Sequence, residues 1–285
     1  MTRRHVTVAL SGEGADELFG GYYTYLADRY ARWMRWIPAP VRAAGLAAAC
    51  RLLPASDDKI GFEYKVKRFL EGSLLPQIEA HMFWNGACSP RQKLDLLRFE
   101  ADANPAELFG GLPRDVGGIN RFLFLDQLLY LPEDILNKCD RMSMAHSVEI
   151  RPPFLDHRIV EFAATLPERF KVNGSKLKFI LKELMRERLP KSVLARKKEG
   201  FDIPAHDWFR SRLRPMLEDT VTRKSVESTV LFHWPAVERL MADHFARRIN
   251  AGYQLWGLLT LFLWIERWGV QPAQMPDTSE AFFTN

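Results

Sequence analysis

Val6-Thr7-Val8-Ala9-Leu10 is a short β-branched run that ends at Ser11-Gly12, the pattern of a buried parallel strand. No other stretch of the 285 residues makes so convincing a strand. That scarcity constrains the fold more than any other feature, because a parallel strand covered on both faces needs neighbours on both sides. The reading expects those neighbours in another chain, or in an earlier part of something larger.

The rest of the chain has helical period. Leu18, Tyr22, Leu26, Tyr30, Trp33 and Ile37 step by three and four residues from Ala15 until Pro38-Ala39-Pro40 ends the pattern. An Ala-rich helix is expected near 41–53, weakly bounded helical pattern over 57–100, and a loop over 101–118. Further helices are expected over 119–131, 133–146, 156–166, 175–189, 205–219, 230–249 and 252–268. The division expected is one domain over 1–270 and a loose tail over 271–285.

Hydrophobic residues make up 47% of the chain, enough for a sizeable core. The net charge of +5 suits an anionic partner without choosing one. Lysines and arginines are dispersed and no nucleic-acid recognition motif occurs, so a nucleic-acid partner is not expected. The longest apolar run, residues 255–265, is eleven residues, against about 20 needed to span a bilayer, so no membrane role is expected. Cys50, Cys88 and Cys139 have neither zinc-site spacing nor a secretion signal ahead of them, which points to a reducing cytoplasm.

Three stretches carry candidate chemistry. In Ser11-Gly12-Glu13-Gly14-Ala15-Asp16, two glycines let backbone amides approach an anion at the start of a helix. Glu13 and Asp16 place carboxylates where a Mg²⁺-phosphate complex, or a nucleophile needing a base, would meet them. A strand-to-helix turn with Asp16 and Glu17 favouring the first helical turn is the structural rival. On a helix beginning near Pro132, Ile135, Cys139 and Met142 form an apolar stripe, and Asp134, Lys138 and Arg141 a neighbouring face with a solvated Asp-Lys pair. Glu149 and Arg151 flank Ile150 and run into Pro152-Pro153, an extended geometry that sends both side chains to one side. Arg151 suits bidentate grip on a carboxylate or phosphate, with a structural Glu-Arg pair as the rival. In Arg196-Lys197-Lys198-Glu199-Gly200-Phe201, a loop lysine, Lys198, is placed to reach a phosphate.

The segments LSGEGADELFGGY, LPEDILNKCDRMSMAHSVEIRPPFLDHRIVEFAATLP and LPKSVLARKKEGFDIP, and more loosely YQLWGLLTLFLWIERW, occur in the order found in glutamine-dependent asparagine synthetases. The chain resembles the C-terminal, synthetase-domain portion of that family over most of 6–268. The resemblance implies a mainly α chain forming the latter part of an α/β ATP-pyrophosphatase domain, most of whose parallel sheet lies upstream. It implies an amidotransferase that adenylates aspartate or another carboxylate with ATP and Mg²⁺, releases pyrophosphate and forms the amide with glutamine-derived ammonia. By position, Glu13 matches an acidic residue near the acyl-adenylate, Asp16 a ligand of the Mg²⁺-pyrophosphate complex, and Lys198 a lysine that neutralises phosphate charge. Arg141 holds a position that is Lys or Arg in the family, and Arg151 follows the acidic position of Glu149. Ser11, Gly12 and Gly14 would line the nucleotide side.

Two family features have no match. The nucleotide loop Ser-Gly-Gly-x-Asp-Ser does not occur: Ser11-Gly12-Glu13-Gly14-Ala15-Asp16 imitates it but has Glu13 for the second glycine, and in the family that stretch matches a different, later motif. The N-terminal catalytic cysteine of the glutaminase is not found either, since Thr2 follows Met1. The expectation is therefore a chain inactive alone, completed by a partner chain or an N-terminal segment. The alternatives are a non-catalytic remnant or binding subunit, or an amidotransferase acting on another carboxylate such as a surface sugar.

Overall fold

The computed structural model describes residues 1–54, 61–99, 116–196 and 203–270. Two short strands, β1 (Val8–Leu10) and β2 (Glu149–Arg151), pair in parallel with Val8 opposite Glu149 and Leu10 opposite Arg151. In chain order the helices are α1 (Ala15–Phe19), α2 (Tyr23–Met34), α3 (Ala39–Leu52), α4 (Phe62–Ser73), α5 (Gln77–Asn85) and α6 (Pro90–Leu96). Then come α7 (Ile119–Leu128), α8 (Asn137–Met144), α9 (His157–Thr165), α10 (Glu168–Lys171), α11 (Phe179–Leu184) and α12 (Lys191–Leu194). The last are α13 (Ala205–Arg210), α14 (Arg214–Thr220), α15 (Arg223–Ser228), α16 (Trp234–Phe245) and α17 (Gly252–Trp268). The chain is mainly helical with a small parallel sheet, and no described helix is long and apolar enough to cross a membrane.

The sheet corrects one expectation. β1 has a partner inside this chain, contributed by the extended Glu-Ile-Arg run. Three residues with charges at both outward positions give too little apolar alternation to announce a strand. β1 is not deeply buried either: Leu10 is 72% exposed.

The single helix expected from Ala15 to Ile37 is also broken. Gly20 adopts φ +70° and its amide and that of Gly21 both return to the Asp16 carbonyl, which ends α1 after five residues. A Cβ on Gly20 would lie 2.6 Å from Val172 Cγ2, so the turn also fits closely against its surroundings. The helix expected over 175–189 shrinks to α11, because residues 173–176 form a turn and Lys178 is left-handed at φ +51°. Those expected over 205–219 and 230–249 are likewise shorter, broken between α13 and α14 and beginning only at Trp234 in α16. Of the loop expected over 101–118, residues 101–115 lie outside the described residues, as does the tail over 271–285.

Between α7 and α8 the helix does not stop at Pro132. It continues as a π-helical segment, Leu131–Leu136, in which the Asn137 amide reaches back to the Pro132 carbonyl. Proline has no amide to give and its ring crowds the carbonyl four residues earlier, so an α-helical turn is disfavoured there. The wider π turn accommodates it.

Two compact units share the chain. The first comprises Met1–Arg42, Gly72–Met82 and Asn104–Phe201; the second comprises Ala43–Glu71, Phe83–Ala103 and Asp202–Asn285. The first holds the sheet and two apolar clusters. Leu18, Phe19 and Ala163 pack with Phe154 and Leu155, and Tyr25, Leu26, Ile119, Phe122, Leu123, Val172 and Leu177 form the other.

The second unit is built on α17, whose Leu255, Leu258, Leu259 and Phe262 pack with Phe209, Leu217, Val237 and Leu240. At its centre His244 is fully buried; its Nδ1 accepts from the Ala251 amide and its Nε2 donates to the His206 carbonyl at 3.0 Å. Burial, helped by nearby Arg210, lowers its pKa to about 4, so the ring is neutral at physiological pH. Gly252 begins α17 against this point: a Cβ there would lie 2.8 Å from the His206 nitrogen and 2.9 Å from its Cα. Backbone cannot step aside as a side chain can, so Gly252→Ala is expected to cost about 1–3 kcal/mol. Denaturant unfolding followed by tryptophan fluorescence reads that loss as a lower midpoint at unchanged slope.

Candidate active site

The two richest sequence stretches come together through the sheet. Because β1 and β2 run parallel in register, the turn Gly12-Glu13-Gly14 and the segment Pro152-Pro153 leave the same end. The Ser11 amide extends the ladder by donating to the Arg151 carbonyl at 3.0 Å. Ligands of open α/β sheets bind outside the carboxyl ends of parallel strands, and this is such an end. Gly14 has φ +85° and a Cβ there would collide with the Leu155 side chain, which clamps the turn onto the 3₁₀ turn Pro153–Leu155. A side chain on Gly12 would meet nothing within 4 Å, so one flank of the turn is open. The Ser11 hydroxyl is buried without a hydrogen-bond partner among the described residues.

Behind the turn, α1 is fastened by buried polar groups that the sequence did not mark. Glu17 is 1% exposed; the Tyr22 hydroxyl donates to its Oε1 at 2.5 Å and Gln127 Nε2 donates to its carbonyl at 3.1 Å. Burial raises the Glu17 pKa, against the opposing effect of the Tyr22 hydrogen bond. Glu17 does stand in the first turn of α1, as the structural reading expected, and there it is buried. Further in, Tyr25 donates to Asp126 at 2.6 Å, and His81 sits between Asp28 at 2.6 Å and Asp126 at 2.9 Å. Burial alone would lower the His81 pKa, but the two aspartates outweigh it and raise it to about 10. His81 is thus a buried imidazolium. The five-residue length of α1 also weakens the helix-dipole part of the anion-site expectation, since a macrodipole needs aligned peptides to accumulate.

The charged candidates are placed as follows. Asp16 Oδ1 is 3.0 Å from Lys178 Nζ, an ion pair with a residue that sequence reasoning missed. Arg151 Nε donates to Glu149 Oε1 at 2.6 Å, with both side chains largely exposed. They do project to one side, and in this arrangement they hold each other. Glu13 is half-buried and lies near α8, because its charge adds to the burial that raises the Cys139 thiol pKa. Arg141 is exposed on α8, and Lys138 pairs with Asp134 at 3.8 Å, as a solvated pair should. The apolar stripe expected on that helix is not a buried one, since Met142 is 63% exposed. Lys198 lies outside the described residues.

No group of three or more metal-ligating side chains occurs among the described residues. Asp16 offers one carboxylate here, already engaged with Lys178. Mg²⁺ commonly takes one or two carboxylates and completes its shell with waters and phosphate oxygens. The residues fit a metal carried in by a phosphate, held through Asp16, rather than a preformed protein cage.

Comparison with known proteins agrees with the motif reading. The family model described as asparagine synthase matches residues 1–268. Asparagine synthetase [glutamine-hydrolyzing] 1 of Bacillus subtilis is 28% identical over 92% of this chain and 40% of its own length. A putative asparagine synthetase [glutamine-hydrolyzing] of Mycobacterium bovis is 31% identical over 98% of the chain and 42% of its own length. Amidase chyE of Penicillium rubens is 25% identical over 94% of the chain and 43% of its own length. The chain thus spans about two fifths of the length of these relatives. No solved structure matches it significantly.

Proposed function

The chain belongs to the asparagine synthase family, and on that premise we propose that it forms the latter part of an ATP-dependent carboxylate-amidating site. The observation that carries this reading is the joining of the Ser11–Gly14 turn to the Glu149–Arg151 strand at one sheet end by the Ser11–Arg151 hydrogen bond. Neither stretch alone distinguishes chemistry from structure. Together they bring two carboxylates and a guanidinium to the end where a nucleotide would lie.

In the proposed reaction a carboxylate oxygen of aspartate attacks the α-phosphorus of ATP and pyrophosphate leaves. Ammonia nitrogen then attacks the acyl carbon, AMP leaves with the carboxyl oxygen, and the nitrogen loses a proton. Glu13 would take that proton, and a positioned base is worth about 10²–10⁴ in rate. Mg²⁺ would neutralise pyrophosphate charge beside Asp16, and Lys198, Arg151 and Arg141 would provide fixed positive charge as phosphate oxygens develop negative charge. Glu149 would orient Arg151, consistent with their 2.6 Å contact. The rest of an ATP-pyrophosphatase fold, with its nucleotide loop, and a glutaminase supplying ammonia would come from the portion of the relatives' length this chain does not span.

The substrate is a separate question. A second reading keeps the same chemistry on a carboxylate other than aspartate; one relative matched over 94% of the chain carries a name other than asparagine synthetase. The product pattern tests both. Phosphorus NMR of a completed reaction should show AMP and pyrophosphate in equal amounts. ADP and phosphate would rule out adenylation whichever carboxylate is supplied.

A further inference from the structure

Lys178 is tied to the Asp16 turn at both its backbone and its side chain. Its amide donates to the Gly20 carbonyl at 3.2 Å, and its ammonium lies 3.0 Å from Asp16 Oδ1. The Asp16 and Lys178 side chains are 17% and 27% exposed, so the pair is largely withdrawn from solvent yet still reachable. Gly21 forms its floor: a Cβ there would collide with both Asp16 Oδ1 and Lys178 Cε. Lys178 takes a left-handed backbone at φ +51°, costly for a residue with a side chain. Asp16 in the first turn also closes the far end of α1, since its carbonyl receives the Gly20 and Gly21 amides. One aspartate therefore terminates the helix with its backbone and holds a lysine with its carboxylate.

We propose that Lys178 and a divalent cation compete for the Asp16 carboxylate. The ammonium holds Asp16 in place before the cation arrives with pyrophosphate, and the cation releases the ammonium from it. This rests on the reading of Asp16 as the metal-facing carboxylate. A second cation beside an ammonium 3.0 Å from the same carboxylate is opposed by like-charge repulsion. Lysine is suited to yield, being a point charge on a flexible four-carbon stem. The released ammonium is then a positive charge free to meet phosphate oxygens at the same turn. Lys178 acts here as a positioning residue, through Asp16.

Manganese(II) is the probe, with its free signal measured by electron paramagnetic resonance on the chain with and without pyrophosphate. Lys178→Met is expected to tighten manganese binding about tenfold, Asp16→Asn to weaken it about tenfold, and Lys178→Arg to resemble the parent. A purely structural lysine would behave differently: Lys178→Met would lower the unfolding temperature and leave manganese affinity unchanged, which overturns the competition. Weaker manganese binding in Lys178→Met also overturns it. If Asp16→Asn alone weakens binding, the competition fails and Asp16 stands as the metal-facing carboxylate. If Asp16→Asn has no effect, the metal assignment of Asp16 falls, and the competition with it.

Discussion

His81→Ala is expected to lower the stability of the first unit by about 3–5 kcal/mol, the usual cost of breaking a buried ion pair by removing one partner. The ring is 1% exposed between two aspartates, with Tyr25 stacked on one side at 5.9 Å and Phe122 at 5.0 Å. Deleting it leaves the Asp28 and Asp126 carboxylates buried without their shared cation, together with a void. The pH dependence gives the effect a signature. The folded-state pKa of about 10 stands above the ordinary 6.5, so the stabilisation is fully present below about pH 6.5 and is lost as pH rises through about 10. Denaturant midpoints measured from pH 6 to pH 10 should fall for the parent and lack that component in His81→Ala. A variant with the parent's midpoint throughout would mean that His81 is not an imidazolium holding the two aspartates.

Gly14→Val is expected to be nearly as damaging, and for a reason tied to the site. A β-branched residue at φ +85° costs about 1–2 kcal/mol in backbone strain. Overpacking against Leu155 adds about 1–3 kcal/mol. The second cost should be recoverable. Leu155→Ala in the Gly14→Val background removes the obstructing side chain, so the double variant should be more stable than the sum of the two single losses predicts. A coupling of that sign, read from unfolding midpoints, establishes the contact between the turn and the Pro153–Leu155 turn. Strictly additive losses would mean that the two turns do not touch as described.

The sequence revealed the ends of this site better than its support. A β-branched run before Ser-Gly pointed to β1, and Glu-Ile-Arg before two prolines correctly sent Glu149 and Arg151 to one side. It did not reveal that these segments pair with each other, because parallel pairing at a separation of 141 residues leaves no local mark. Gly20-Gly21 was a helix stop in plain view, overridden by an apolar period that continued through it. Lys178 looked like an ordinary lysine on a helical face; its left-handed backbone and its partner Asp16 are tertiary facts. His81 stood in a helix beside Met82 and Phe83, and nothing nearby in sequence announced two aspartates 53 and 45 residues away. The short, charged and tertiary features were hidden because periodicity measures only what recurs.

The most direct measurement of the central claim is pyrophosphate release from ATP in the presence of Mg²⁺, aspartate and ammonium. The chain would be mixed with a separately expressed fragment carrying the Ser-Gly-Gly-x-Asp-Ser loop, and compared with the chain alone. Aspartate-dependent release is expected in the mixture only, and Glu13→Ala should keep the first turnover while its steady-state rate falls about 10²-fold or more. Steady-state release at the parental rate in Glu13→Ala, or no release from a mixture of folded chains, would contradict the proposed site.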